Sequence, residues 1–324
     1  MGVAAERGVT WRVLRVVVEK LATCDAVPFP EVLEATLDEG RLTASAFASR
    51  KLPEYMHSRM VECKGCGMLY ANPVLRPEAL AEAYKDASFD SGTESQLAAV
   101  TYRAILEPHL PALPSRNSAL DIGAGDGAFL EELLALGFQN VVGVEPSEAP
   151  IAAAKPTIRG CLRCGVFAAE QFAAESLDLI TCFQVIEHVW DPVKIVSDAH
   201  ALLKPGGLFV IVAHDRRAFS ARVMGTKSPI FDIEHLQLFD RSTGAALLRT
   251  AGFESIAVSS LLNKYPINYW IKLFPLPRTA KAAVSWMARV SRIGNLLLSL
   301  PAGNLAIVGR KPAQARVERT ANTV

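Results

Sequence analysis

The stretch that decides the fold is Ala119-Leu120-Asp121-Ile122-Gly123-Ala124-Gly125-Asp126-Gly127-Ala128. It reads as a short apolar strand, a turn with glycine at every second position, and the start of a helix. Glycine has no Cβ, so the backbone of such a turn can approach a ligand closely, and the following helix presents amides at its N-terminus. The stretch therefore predicts a ligand-binding turn. Its Gly-x-Gly-x-x-Ala pattern, taken alone, also fits a dinucleotide.

Strand and helix signals alternate through the rest of the chain after this turn. Apolar runs predict strands, and apolar residues at helical spacing lie between them. Such alternation favours an α/β fold with a doubly wound, mostly parallel sheet. The predicted strands are residues 119–122, 141–144, 177–183, 208–213 and 305–308.

Composition and charge exclude several classes of protein. The chain has 324 residues, of which 50% are hydrophobic and 21% charged, which is ordinary globular composition rather than that of a disordered chain. Lys plus Arg is 34 and Asp plus Glu is 33, so the net charge is +1. A dedicated nucleic-acid binder is therefore disfavoured. Segment Trp11–Leu21 carries too many charges for a signal peptide, and we expect a cytoplasmic protein.

Three features distinguish the glycine turn from a dinucleotide site. Gly127 adds a third glycine at even spacing. Asp121 precedes the first glycine by two residues, where a carboxylate can meet a cationic amine rather than a pyrophosphate. The sequence Leu203-Lys-Pro-Gly-Gly207 precedes the buried strand at 208–213. Together with Glu145 at the end of the next strand, these motifs resemble a class I S-adenosylmethionine-dependent methyltransferase. The stretch Cys182–Val189 is similar to the ubiquinone-biosynthesis-like branch, which methylates small molecules.

The resemblance implies a Rossmann-like, seven-stranded sheet with a cofactor site at its centre. Asp121 and the glycine turn would hold the methionine part of S-adenosylmethionine. Glu145 follows Asp121 by 145 − 121 = 24 residues and would bind the ribose. The family often has an acid after the third strand for adenine; this chain has none there, and Phe167 would supply apolar contact instead. The implied cofactor-binding residues are Asp121, Gly123, Gly125, Gly127, Glu145, Phe167, Phe183 and Gln184.

Histidines are the candidates for proton removal from a hydroxyl acceptor, because imidazole exchanges protons at neutral pH. His188, His214 and His235 are available, and we select His188 and His235 as catalytic candidates. Some ubiquinone-pathway relatives bind a divalent metal through acidic groups near this histidine. Gln184 stands where such a relative has an acid, so a metal-assisted mechanism is not expected. Methyl transfer also depends largely on proximity and orientation, and a base is not obligatory.

Cysteines near the N-terminus resemble half of a zinc ribbon. Cys63-x-x-Cys66 has the spacing of a zinc knuckle, and a tetrahedral site needs two further ligands. Cys24 lies 63 − 24 = 39 residues earlier without a cysteine partner, and His57 is a candidate fourth ligand. We expect a degenerate ribbon that has lost its metal, with zinc on Cys24, Cys63 and Cys66 as the alternative.

The chain divides into four predicted regions. Residues 1–75 form the cysteine-containing segment, residues 76–116 a helical lid and a proline-marked extended linker, residues 117–312 the methyltransferase domain, and residues 313–324 a disordered tail. Segment 264–304 interrupts the strand–helix rhythm with aromatic and basic residues. One interpretation is a helical insertion that packs on the sheet. The other is a surface that touches lipid or a lipid-linked substrate, at the inner face of the membrane.

These observations favour a methyltransferase that acts on a small molecule. We expect it to methylate an oxygen of an apolar, glycan or lipid-linked acceptor. A scaffold that binds S-adenosylmethionine without turnover and an NAD-binding oxidoreductase are the two alternatives. The sequence does not identify the acceptor or the oligomeric state.

Overall fold

A computed structural model describes residues 9–10, 31–36, 56–75, 77–85, 92–274 and 276–313. The strands are β1 (Val9–Thr10), β2 (Glu31–Leu33), β3 (Met60–Glu62), β4 (Leu69–Ala71), β5 (Val74–Leu75), β6 (Ser118–Ile122), β7 (Asn140–Glu145), β8 (Leu162–Cys164), β9 (Leu177–Phe183), β10 (Leu203–His214), β11 (Gln237–Leu238), β12 (Glu254–Pro266) and β13 (Leu297–Arg310). The α-helices are α1 (Pro77–Lys85), α2 (Gly92–Leu106), α3 (Ala128–Ala135), α4 (Glu148–Ala153), α5 (Pro156–Arg159), α6 (Pro192–Leu202), α7 (Phe219–Met224), α8 (Arg241–Thr250), α9 (Ile267–Leu273) and α10 (Arg278–Val290).

A seven-stranded sheet in the order β12-β13-β10-β9-β6-β7-β8 forms the centre of the protein. Strands β8, β7, β6, β9 and β10 are parallel, and β13 is inserted antiparallel between β10 and β12. All seven residues of β9 are buried, as expected for a strand covered on both faces. The predicted doubly wound, mostly parallel α/β fold is confirmed.

Alternate residues of the central strands feed two hydrophobic cores on opposite faces of the sheet. Ile180 and Cys182 of β9 belong to the core that contains α6 and α8 residues, whereas Leu179 and Phe183 belong to the core that contains α2 and α3 residues. This division follows from the two-residue side-chain period of a strand. The carboxyl ends of the parallel strands consequently meet at one edge, where the ligand of an open α/β sheet binds.

The N-terminal strands join the methyltransferase-like part through hydrogen bonds. Strand β11 pairs with β4, which gives a second sheet in the order β11-β4-β3-β2. The Ala71 amide donates to the Leu236 carbonyl at 2.8 Å, and Met68 and Tyr70 share a core with Ile180. The cysteine-containing segment therefore supports the loop that carries His235.

Two details differ from the predictions. The segment 264–304 is helical only in its middle, because β12 and β13 extend beyond the core sheet and pair there, with Lys264 opposite Ser299 and Tyr265 opposite Leu298. The proline-rich linker was expected to be extended, but Glu107–Ala112 forms a 3₁₀ helix. Proline fixes φ near −65°, which a 3₁₀ turn accepts as readily as an extended chain.

None of the described helices is long and apolar enough to cross a lipid bilayer.

Candidate active site

The glycine turn after β6 adopts a backbone that only glycine takes easily. Gly123, Gly125 and Gly127 have φ values of 76°, 54° and 76°, in the left-handed region. A Cβ on Gly123 would lie 2.2 Å from Cγ2 of Val185, so this residue also lacks room for a side chain. Gly127, which the sequence analysis assigns to the cofactor, has a structural role instead. It precedes α3 as the N-cap and does not line the cavity described below.

Glu145, at the end of β7, holds the turn through its carboxylate. Its two oxygens accept hydrogen bonds from the backbone N–H groups of Gly125, at 2.9 Å, and Ser147, at 3.0 Å. Burial raises the pKa of Glu145, and these two hydrogen bonds oppose the rise. Each carboxylate oxygen keeps a further lone pair for a ligand hydroxyl. The Glu145 side chain can therefore hold the turn and bind a ribose hydroxyl at the same time.

Asp121 lies beneath the turn with almost no exposure to solvent. Its Oδ1 accepts a hydrogen bond from the Thr181 hydroxyl at 2.6 Å. Burial raises the pKa of Asp121 to about 7; the Thr181 hydrogen bond lowers it, and the nearby Glu145 charge raises it. A cationic group next to this carboxyl would favour its ionised form. Asp121 is thus suited to a positively charged ligand amine.

A cavity of about 760 Å³ opens from this turn. One end is formed by the turn, Glu145 and Phe167. Phe183 stacks there against the Tyr102 ring, with centroids 4.3 Å apart. Gln184 follows with a left-handed φ of 57°. Its buried Nε2 has no hydrogen-bond partner among the described residues. A strained residue with an unpartnered amide at a cavity wall is typical of a ligand site.

These features fit S-adenosylmethionine. Gly125 has open space where a Cβ would lie, Asp121 can meet the amino group, and Gln184 offers an unpaired donor. Glu145 and Phe167, which the resemblance assigns to the ribose and the adenine, both line the cavity. When bound, the cofactor would supply an electrophilic methyl group on a sulfonium.

The other end of the cavity contains three histidines in contact. The ring centroids of His188 and His235 are 4.8 Å apart, and those of His214 and His235 are 4.9 Å apart. Nδ1 of His188 lies 2.9 Å from the Tyr84 hydroxyl and 3.7 Å from Oε2 of Glu234. Burial and surrounding carboxylates raise the pKa of Tyr84 well above its usual value, so its hydroxyl stays protonated. The structure thus brings both histidine candidates to one wall.

Sequence reasoning missed Tyr84 and Glu234. Tyr84 is 104 residues from His188 in the chain, and only the packing of α1 over the cavity joins them. Glu234 had a weak signal, since it repeats the Glu-His pairing seen at Glu187-His188.

The cysteine pair is in place, but a full metal site is not apparent in the described part of the chain. The Cys66 amide lies 3.4 Å from Sγ of Cys63, as in a knuckle. Cys24 falls outside the described residues. His57, the candidate fourth ligand, instead packs against Phe231 with ring centroids 5.9 Å apart, and no described residue completes a metal-ligand group with both cysteines.

Comparison with known proteins identifies the family. The family model described as "Methyltransferase domain" matches residues 94–258, which is 165 of the 324 residues. The chain therefore belongs to this methyltransferase family, as the sequence motifs predicted.

The chain is also similar to individual proteins over part of its length. A probable S-adenosylmethionine-dependent methyltransferase of Mycolicibacterium smegmatis is 33% identical over 139 residues, covering 43% of this chain and 52% of that protein. The ubiquinone biosynthesis O-methyltransferase of Pseudomonas aeruginosa is 36% identical over 122 residues, covering 34% and 51%. The chain spans about half the length of these curated relatives. A solved SAM-dependent methyltransferase from Archaeoglobus fulgidus is 18% identical, with 66% and 94% coverage and a TM-score of 0.44.

Proposed function

We propose that the protein transfers the methyl group of S-adenosylmethionine to a hydroxyl oxygen of a small-molecule acceptor. The observation that carries this proposal is the single cavity that joins the Asp121 turn to the histidine wall. Phe183 and Gln184 line the same cavity, which would hold a cofactor at the first end and an acceptor at the second. The similarity to ubiquinone biosynthesis O-methyltransferases favours oxygen as the atom methylated.

His188 is the residue best placed to take the acceptor proton. Its Nδ1 faces the Tyr84 hydroxyl and the Glu234 carboxylate, which would orient the ring and stabilise the imidazolium. S-adenosylmethionine, held by the Asp121 turn and Glu145, would supply the methyl carbon to the acceptor oxygen and would be left as S-adenosylhomocysteine. His188 would receive the hydroxyl proton as the methyl ether forms. His235, whose tilted ring packs against that of His188, would border the acceptor.

The acceptor end is largely aromatic. Tyr265, Tyr269 and Trp270 form a contacting group, with Tyr265 and Tyr269 centroids 4.5 Å apart. Phe274 lines the same cavity and is 54% exposed. An acceptor with an apolar or ring-shaped body fits this wall. Because Phe274 joins the cavity to the outer surface, we extend the proposal to lipid-linked acceptors.

The surface beside this opening suits an anionic membrane. Segment 264–304 has six basic residues and no acidic one. In helix α10, Trp286 is 63% exposed and Val290 is 65% exposed, and their spacing of four residues places them on one face. Apolar side chains flanked by basic residues bind at the lipid interface. We propose peripheral contact of this segment with the inner membrane face.

Incubation with radiolabelled S-adenosylmethionine and a panel of hydroxylated acceptors, including lipid-linked ones, tests the transferase proposal. Labelled product together with stoichiometric S-adenosylhomocysteine supports it. Cofactor binding without product from any acceptor class would leave the non-catalytic scaffold as the better interpretation, and a bound nicotinamide cofactor would favour the oxidoreductase.

Vesicle flotation tests the membrane contact. We expect the protein to float with vesicles containing anionic lipid at low salt and to be released by high salt, because each basic residue near the surface adds roughly 1 kcal/mol. The double variant Trp286→Ser with Val290→Ser should stay unbound. Val100→Ser, which changes a residue 55% exposed on α2, is the matched control and should float normally. Equal flotation of all three proteins, or none by the wild type, would refute the contact.

A further inference from the structure

Two histidines of the cavity wall form a cluster of ligand-type side chains with a buried carboxylate. Glu187 follows β9, His214 ends β10, and His235 lies on the loop before β11. One carboxylate oxygen and one ring nitrogen from each histidine lie within 4.8 Å of one another. His214 and His235 line the cavity, whereas Glu187 is fully buried beneath them. Three elements distant in sequence thus converge on one point at the cavity wall.

Hydrogen bonds fix the form of both imidazoles. Nδ1 of His235 lies 2.7 Å from the Ile230 carbonyl, which can only accept, so this nitrogen carries the proton. Nδ1 of His214 lies 2.8 Å from Oδ1 of Asn304, and the Asn304 amide nitrogen donates to Asn263, which assigns Oδ1 as the acceptor. In each neutral ring, Nε2 therefore holds the lone pair. Metal-binding histidines commonly show this arrangement, with the other nitrogen donating to a carbonyl.

Glu187 is fully buried, and the surrounding protein would compensate its ionised carboxylate only in part. Its Oε1 accepts a hydrogen bond from the His214 amide at 3.2 Å and lies 3.9 Å from the His214 ring nitrogen Nε2. Its Oε2 is buried without a hydrogen-bond partner among the described residues. A buried carboxylate oxygen left unpaired is costly. A cation at this point would compensate the charge.

We propose that Glu187, Nε2 of His214 and Nε2 of His235 bind a divalent transition-metal ion. Two imidazoles and one carboxylate suit Zn²⁺, Mn²⁺, Fe²⁺ or Co²⁺, whereas Mg²⁺ and Ca²⁺ prefer oxygen ligands alone. Metal–nitrogen bonds of about 2.1 Å would require the ligand atoms to move roughly 1 Å closer together. Side-chain rotation at the cavity wall can supply this movement.

The proposed site differs from the acidic metal site raised by the sequence. Gln184 takes no part in it, and two of its three ligands lie outside the stretch Cys182–Val189. His188 is also outside the ligand set and remains available as the base. The remaining coordination positions would face the cavity. If the proposed methyl transfer is correct, an acceptor oxygen could occupy one of them and lose its proton to His188 more easily.

Titration of the chelator-treated full chain with Mn²⁺, followed by loss of the free-ion electron paramagnetic resonance signal, tests the site directly. Mn²⁺ avoids competition from Cys63 and Cys66, because thiolates favour softer metals. We expect one ion per chain with micromolar affinity. Glu187→Gln and His214→Asn should each weaken binding at least tenfold. Asn can keep the hydrogen bond to Asn304 while removing Nε2. His109→Asn, on the 3₁₀ helix after α2, is the matched control and should bind as the wild type does.

Spin-echo modulation provides a readout that needs no variant. Mn²⁺ bound to the wild type should show nitrogen coupling from two imidazoles. Absence of that coupling, millimolar affinity in the wild type, or unchanged binding in the two ligand variants would overturn the proposal. Cofactor affinity measured on the same samples checks that the variants are folded. If the metal-free protein transfers methyl groups and does not bind Mn²⁺, the metal site is refuted and the transferase proposal stands. If the protein binds Mn²⁺ but shows no turnover, the transferase proposal is refuted and the metal site stands.

Discussion

Replacement of Asp121 by asparagine should weaken cofactor binding and stabilise the folded protein. Asparagine keeps the size of the side chain and an oxygen to accept the Thr181 hydrogen bond, but it carries no charge. A charge-assisted hydrogen bond to the cofactor amine contributes roughly 1.5–3 kcal/mol, so Asp121→Asn should raise the Kd for S-adenosylmethionine by about one to two orders of magnitude. Isothermal calorimetry measures this change.

The pH dependence gives the sharper test. The pKa of Asp121 in the free protein is about 7, and binding a cation requires the ionised form. In the wild type, Kd should rise about tenfold for each pH unit below 7, because the ionised fraction of Asp121 falls by that factor. Binding near pH 6.5 should release a proton, visible as a dependence of the calorimetric heat on the buffer. Asp121→Asn should lack both effects.

Asp121→Asn should raise the free energy of unfolding, although it weakens cofactor binding. Because burial raises the folded-state pKa above 3.8, the neutral carboxyl stabilises the fold at low pH, and this contribution is lost as the pH rises through about 7. Three pKa units correspond to at most about 4 kcal/mol. Thermal melts should show Asp121→Asn to be more stable than the wild type at pH 8 and nearly equal at pH 4. A Kd independent of pH, or a variant less stable at every pH, would refute this reasoning.

Three further predictions concern the turn and the base. Gly123→Ala should abolish cofactor binding, since its Cβ would lie 2.2 Å from Val185 and its φ is 76°. Adding Val185→Ala should restore part of the binding if the clash is a cause. No recovery at all would assign the loss to backbone strain. Glu145→Gln should weaken cofactor binding less than Glu145→Ala, because glutamine keeps one acceptor oxygen; calorimetry showing equal losses would exclude a ribose contact. His188→Ala should lower kcat by about 10²- to 10⁴-fold with unchanged cofactor Kd; an unchanged kcat would exclude the base role.

The sequence by itself determined the sheet and the glycine turn at one end of the cavity. Both follow from local rules. The two-residue period of β9 sorts its side chains to two cores, and the glycines after β6 permit a left-handed backbone that other residues avoid. The position of Glu145 followed as well, because adjacent parallel strands end at the same edge of the sheet.

Only the tertiary structure decided the acceptor end. The contact of Tyr84 with His188 spans 104 residues, and the pairing of β11 with β4 joins the N-terminal segment to the loop that bears His235. Glu187 approaches His214 and His235 only after three chain segments pack together. No local pattern encodes such contacts, because they depend on which elements the folded core brings side by side. The sequence therefore predicted the glycine turn and its two carboxylates, and packing decided which groups line the far end of the cavity.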